Sequence, residues 1–216
     1  VWNWDFAISI MPELLQVIWI TITATIFGFF IAAILGLFLA FGRRSKRKWL
    51  GNIFAAVIEF VRSTPLLIQL YFLYFVLPLY GIKLSAFTLG VLGLGIHYST
   101  YLSEVYRAGI DGVPRGQWEA AIALNFTNAQ KWRRIILPQA IRPVIPVLGN
   151  YLIVMFKETP LLSTISVVEL MQTAKLIGSE SFRYLEAFTI VGLLFFMLSY
   201  LSSFFVRWLD LRLNHK

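Results

Sequence analysis

Long stretches without charge divide the chain. Residues 14–42, 63–82, 84–103 and 187–206 contain no Asp, Glu, Lys or Arg, and a helix needs about 20 predominantly apolar residues to cross the hydrocarbon of a bilayer. A fifth stretch, from about Gln139, is apolar apart from Arg142, Lys157 and Glu158. The runs are continuous, whereas the strands of a membrane barrel alternate over about ten residues, so helices are favoured. The pattern predicts an all-α integral membrane protein with five transmembrane helices, near 12–41, 55–78, 85–108, 139–160 and 184–207, in a single domain over 1–216.

Composition agrees with that pattern. Of 216 residues, 58% are hydrophobic and 14% charged, against about 45–50% apolar and 25% charged in an ordinary soluble domain. A soluble domain of this size could not hide so much apolar surface. Secreted disulfide scaffolds, disordered chains and soluble enzymes are excluded, and with no cysteine there is no thiol chemistry or thiolate metal site. The net charge of +8 is concentrated: Arg43-Arg44-Ser45-Lys46-Arg47-Lys48 holds five of the 19 basic residues, directly after an apolar run. That placement reads as a cytoplasmic loop and not as a nucleic-acid surface. It puts the N-terminus outside and the C-terminus inside. The loop at 78–83 is then external and the one near 111–138 internal, with Arg115, Lys131, Arg133 and Arg134. The loop before the last span is external and mixed, and the tail with Arg207, Arg212 and Lys216 is internal. The first ten residues carry one acid and no base and do not form a signal-peptide n-region.

The internal loop reads as a short folded motif. Pro114 opens a helix, and Trp118, Ala121, Ile122 and Leu124 give it an apolar side. Asn125 stands where a left-handed residue would end that helix. Thr127 and Gln130 have capping-box spacing for a second helix, which Pro138 hands over to the fourth span. Such a helix either docks into a groove of a soluble partner or only anchors the loop.

Within the loop, Glu119-Ala120-Ala121 followed by Ile136-Leu137-Pro138 resembles the EAA loop of permease subunits in bacterial ATP-binding-cassette importers. EFVRSTPLLIQLYFLYFVLP (59–78), YLSEVYRAGIDGVPRGQWEAA (101–121) and FKETPLLSTIS (156–166) resemble, in order, segments of the polar-amino-acid uptake permeases. The resemblance covers most of residues 55–170. It implies a cytoplasmic coupling helix between spans 3 and 4, with Glu119, Ala120 and Ala121 contacting an ATPase subunit. Asn125 replaces the family's usual glycine, and both residues suit a left-handed turn. The implied partners are a second permease subunit, two ATP-binding-cassette ATPase subunits and an extracytoplasmic solute-binding protein, in the bacterial cytoplasmic (inner) membrane. The chain has no Walker-type phosphate loop, so no cofactor is expected in it, and ATP and Mg would sit on the ATPase subunits.

Ionisable groups in the spans mark protein contacts or water-filled cavities. Glu59 with Arg62, and Glu104 with Arg107, are three apart and read as structural pairs. Lys157-Glu158-Thr159-Pro160 combines polar groups with a helix-opening proline, as a transporter site requires. Glu158 either touches cargo or pairs with Lys157, and Thr159 belongs to the same motif, which in the family lies by the substrate pathway. Tyr151 is seven residues before Glu158 and so lies on nearly the same helix face. It is either packing or an aromatic contact for a zwitterion or amidinium ring. Family members with cationic cargo carry an acid at this position, so neutral or zwitterionic cargo is favoured, with ectoine the narrower expectation. His97 either donates to a substrate carboxylate or bonds a neighbouring helix. The other histidine is His215 in the tail, so no metal site is expected.

The reading is a permease subunit of an importer for a polar amino acid or a derivative. Two rivals need other features. An ion-coupled carrier would usually show an internal repeat with two broken helices. An intramembrane hydrolase would require His97 to act on Ser99 or Ser103, and no nucleophile elbow surrounds them.

Overall fold

The computed structural model describes residues 2–214; His215 and Lys216 of the expected cytoplasmic tail lie outside the described residues. The described residues contain helices and no strand. Helix α1 (Trp4–Arg43) is capped by Asn3, whose side chain accepts the Phe6 N–H. α1 begins eight residues before the expected span at 12. Its N-terminal part packs Ala7, Ile10 and Leu14 against α8 (Leu170–Ser181) and the start of α9 (Tyr184–Asn214).

The expected single helix at 55–78 is broken. α2 (Lys48–Ser63) and α3 (Leu66–Tyr71) meet at a bend of 99°. The cause is Pro65: it has no N–H, and it pushes Thr64 into extended backbone at φ −100°, ψ 130°. α3 continues through a π-helical turn (Phe72–Val76) and a 3₁₀ turn (Leu77–Tyr80) that ends at left-handed Gly81.

α4 (Ala86–Asp111) is the central helix and lies along α1. The seam is made of small residues: Gly28, Ala32 and Gly36 on α1, Gly95, Ser99 and Ser103 on α4. A Cβ at Gly36 would lie 2.9 Å from the Ser99 carbonyl oxygen, so the backbones touch. The hydroxyls of Ser99, Thr100 and Ser103 donate to carbonyls of their own helix, at 2.6, 2.6 and 2.7 Å. This makes α4 less apolar than α1 without leaving these three hydroxyls unmet.

After α4 come α5 (Arg115–Ala123) and α6 (Asn128–Lys131). A π-helical turn (Trp132–Ile136) then leads into α7 (Leu137–Glu158). That turn lies where Pro138, near the start of α7, lacks the N–H that a regular ladder would use. α7 gives way at Thr159-Pro160 to a 3₁₀ helix ending in left-handed Ser166, as the proline predicts. α8 was not expected from the pattern, which placed only a loop there. Glu169 starts it: fully buried, its two carboxyl oxygens accept the N–H groups of Met171 and Gln172 at 2.9 Å each.

The outward faces are apolar. Phe27, Phe30, Phe38, Phe72, Phe196 and Phe204 are all more than half exposed, which suits lipid and not water. Trp4–Arg43, Asn128–Ile165 and Tyr184–Arg212 are long and apolar enough to cross a membrane, and the bent α2–α3 pair makes a fourth candidate if taken as one span.

Two consequences can be measured by thermal melting in detergent. A Cβ at Gly109 would meet Val144 Cγ2 at 2.3 Å and the Ala140 carbonyl oxygen at 2.8 Å. Gly109→Ala is expected to destabilise by about 1–3 kcal/mol, whereas Gly116→Ala, with open space around it, is neutral or stabilising. Burial raises the Glu169 carboxyl from 4.5 to about 7, outweighing the helix N–H donors and Lys175. The folded state then holds this proton more tightly than the unfolded one, so its contribution to stability is fullest below pH 4.5, declines toward about 7, and is flat above. Glu169→Gln should remove that slope.

Candidate functional site

At the break between α2 and α3, side chains from four helices converge. α4 supplies His97, Tyr98 and Tyr101, and α7 supplies Tyr151 and Glu158. The His97 ring centroid is 5.2 Å from that of Tyr98 and 5.3 Å from that of Tyr101. Tyr151 lies 6.2 Å from Tyr98 and 6.0 Å from Tyr101. Arg62 of α2 places its guanidinium carbon 5.5 Å from the Tyr101 ring centroid. Glu158 is within Coulombic reach of Tyr98. The site therefore has four aromatic or imidazole rings, one cation and one carboxylate.

Gln69 of α3 holds this arrangement together. Its amide nitrogen donates to the carbonyls of Val61, at 2.8 Å, and Thr64, at 3.0 Å, both released where α2 ends. Its amide oxygen lies 3.3 Å from His97 Nδ1.

Three of the four expected cargo-site residues come together: His97, Tyr151 and Glu158. Thr159 does not offer its hydroxyl there, because it is fully buried and donates to the Phe156 carbonyl at 2.7 Å. Lys157 and Glu158 diverge. Lys157 lines a shallow groove with Ser199 and Ser203 of α9, and the two form no ion pair among the described residues. The expected Glu59–Arg62 pair is not formed either; Glu59 accepts from Ser63 Oγ at 3.4 Å while Arg62 covers Tyr101. Tyr98, Tyr101, Arg62 and Gln69 were missed. Tyr101 stands four positions after His97 and three after Tyr98, spacings that place it on the same helix side as each of them. Ser99 and Ser103 donate their hydroxyls to carbonyls of their own helix, and among the described residues neither is hydrogen-bonded to His97.

A second cluster lies at the opposite end of α4. Glu104 pairs with Arg43 of α1 and with Arg107, the latter at 2.7 Å, and Asp111 pairs with Arg44, just after α1, and with Arg107 at 3.2 Å. These bonds tie the ends of α1 and α4 immediately before the loop that carries α5 and α6. In that loop Trp118 and Trp132 meet edge to face at 5.3 Å. Ala121 is buried, beneath α5, and a core of Ile110, Val113, Ile136 and Ala140 forms under the two tryptophans. Glu119 and Ala120 are exposed. Of the four residues expected to give the helix an apolar side, Trp118 and Ala121 turn toward the loop's core, while Ile122 and Leu124 are 62% and 67% exposed. Ala121 therefore packs inside the loop, and the outward surface of α5 is Glu119, Ala120, Ile122 and Leu124.

Asn125 adopts the expected left-handed conformation at φ 54°. The Asn125 N–H donates to the Ile122 carbonyl and the Phe126 N–H to that of Ala121, closing a Schellman turn. Thr127 and Gln130 form the expected capping box. Asn125→Gly should leave the melting temperature unchanged or raise it, while Asn125→Val should cost about 1–2 kcal/mol because a branched Cβ opposes this backbone.

Comparison with known proteins agrees along the whole chain. Residues 28–215 match the family described as binding-protein-dependent transport system inner membrane component. A probable amino-acid ABC transporter permease protein of Sinorhizobium fredii is 47% identical over 208 residues, covering 96% of this chain and 90% of the relative. An L-cystine transport system permease protein of Bacillus subtilis is 37% identical, with 96% and 91% covered. A crystal structure of an amino acid ABC transporter with histidines superposes with a TM-score of 0.93 at 34% identity, over 98% of this chain and 99% of that one. An inward-facing methionine ABC transporter shares the fold at 21% identity and a TM-score of 0.77, over 95% and 98% of the two chains. With the match running from the middle of α1 through α9, the chain belongs to the binding-protein-dependent transport system inner membrane components and is an ABC transporter permease.

Proposed function

We propose that this permease carries a neutral or zwitterionic amino acid, or a cyclic derivative such as ectoine, into the cell. The observation that carries this reading is the grouping of Arg62 and Glu158 around the rings of His97, Tyr98, Tyr101 and Tyr151. A zwitterion presents a carboxylate and an ammonium a few ångströms apart. The guanidinium offers bidentate bonds to the first, and Glu158 with the aromatic faces offers charge and quadrupole to the second. The bend at Pro65 supplies the irregular backbone that a membrane site tolerates only beside protein or a cavity.

The protein acts as one of two permease subunits, in the inner membrane, each with five spans, the N-terminus outside and the C-terminus inside. α4 is the third span; its polar residues face protein. ATPase subunits, holding ATP and Mg, dock on Glu119, Ala120, Ile122 and Leu124 of α5, and a solute-binding protein delivers cargo from outside. Closure of the ATPases moves α5, and the charge cluster at Glu104 and Asp111 passes that movement to α1 and α4 together.

The test is ATPase activity of the reconstituted complex with its binding protein, across arginine, histidine, glutamine, glutamate, cystine and ectoine. One neutral or zwitterionic solute should stimulate it, and Glu158→Ala and Arg62→Ala should each lower the response about tenfold or more. Stimulation by arginine in the unaltered protein, or uptake that persists without any ATPase subunit, would overturn the reading.

A further inference from the structure

Gln69 has a fixed orientation. Its amide nitrogen faces two carbonyl oxygens, at 2.8 and 3.0 Å. Turning the amide over would set its oxygen against both of them, an arrangement of three acceptors with no proton between them. The amide oxygen must therefore be the atom that faces His97, and an amide oxygen only accepts. The His97 nitrogen at 3.3 Å from it, Nδ1, has to carry the proton. In a neutral imidazole one nitrogen is protonated and the other is a bare acceptor, and the bond made by one nitrogen determines the state of the other. Nε2 is then the acceptor. It has no hydrogen-bond partner among the described residues, and it is not among the sealed polar atoms that lack one. It remains open beside Tyr98 and Tyr101, whose rings flank the imidazole.

We propose that Gln69, anchored across the break between α2 and α3, holds His97 as its Nδ1–H tautomer, so that Nε2 selects cargo bearing an N–H donor. This rests on the cluster being the cargo site. The class admitted is a primary or secondary ammonium or a protonated amidine. A quaternary ammonium has no proton to give and is refused. Of the two expectations for His97, the bond to a neighbouring helix is the one made, to Gln69; toward cargo the ring then accepts from the nitrogen end and does not donate to the carboxylate. Gln69 is a positioning residue that acts through His97. The same three bonds join the ring to the helix break, so the choice of tautomer depends on the bend being intact.

The tautomer is read directly by nitrogen NMR of the full-length permease, labelled with ¹⁵N-histidine in a His215→Gln background and assembled with unlabelled ATPase subunits. Nδ1 should be protonated and Nε2 bare. In Gln69→Ala the ring should shift toward the Nε2–H form that water favours. A protonated Nε2 in the unaltered neutral ring, or the same tautomer in Gln69→Ala, overturns the proposal. Should Gln69→Ala fail to assemble, His97→Asn retains a donor toward Gln69 but has no acceptor at Nε2. The transport arm compares glutamine, proline and ectoine with trimethylglutamine and dimethylproline. His97→Asn should reduce stimulation by the N–H solutes about tenfold or more. The quaternary analogues should give none in the unaltered complex, and Gln69→Ala should lose its preference for N–H solutes. Equal stimulation by a solute and its quaternary analogue overturns the selectivity. If no solute acts while the tautomer is as described, the cargo-site reading fails and the Gln69–His97 relay stands.

Discussion

A backbone carbonyl released inside a membrane has no water to turn to, and this constraint governs where the chain can break its helices. Three of its prolines show how. At Pro65 the freed carbonyls of Val61 and Thr64 are taken by the Gln69 side chain. At Pro138 the ladder widens into a π-helical turn. At Pro160 it tightens into a 3₁₀ helix, with Ser163 Oγ donating back to the Pro160 carbonyl and Lys175 donating to Ser163. Each repair brings polar atoms to a depth where they would otherwise be costly. The candidate cargo site lies between the first and third of these breaks, and the second one begins the span that carries Tyr151 and Glu158.

Against these irregular elements stands a regular pair. α1 and α4 meet through glycine, alanine and serine, so their backbones approach too closely for either to slide without collision. The charge cluster of Arg43, Arg44, Glu104, Arg107 and Asp111 fastens the same pair at one end. Its members are partly exposed, where a single ion pair contributes little, but shared carboxylates restrict the geometry of two helices at once. His97, Tyr98 and Tyr101 thus sit on the most constrained helix of the molecule, and their partners sit on the segments that bend.

Much of the frame was legible because it follows from local rules. Charge-free runs located the long helices, Asn125 announced a left-handed turn, Thr127 and Gln130 a capping box, and Thr159-Pro160 the end of α7. The spacing of Tyr151 and Glu158 put them on one face, and both reach the cluster. What escaped notice depends on neighbours distant in sequence. Pro65 was visible as a helix breaker, but the size of the bend it causes, 99°, is not written in a local pattern. Gln69 is one polar residue in an apolar run until the carbonyls it serves are known. Ile122 and Leu124 read as one apolar side with Trp118 and Ala121, yet the two tryptophans fill the space beneath α5 and leave Ile122 and Leu124 facing outward. Glu169 reads as a loop acid and is in fact the buried start of a helix.

The length of α1 has a consequence for the surrounding lipid. Its uncharged stretch, 14–42, extends about 44 Å as a helix, while the hydrocarbon is about 30 Å thick. Standing upright, it would thrust apolar side chains into the headgroups, so it has to lean or thicken the bilayer locally. Because α4 is sewn to it, a change in lean is shared by the helix that carries the imidazole and leads into α5. Bilayer thickness thereby bears on the tilt of both helices at once.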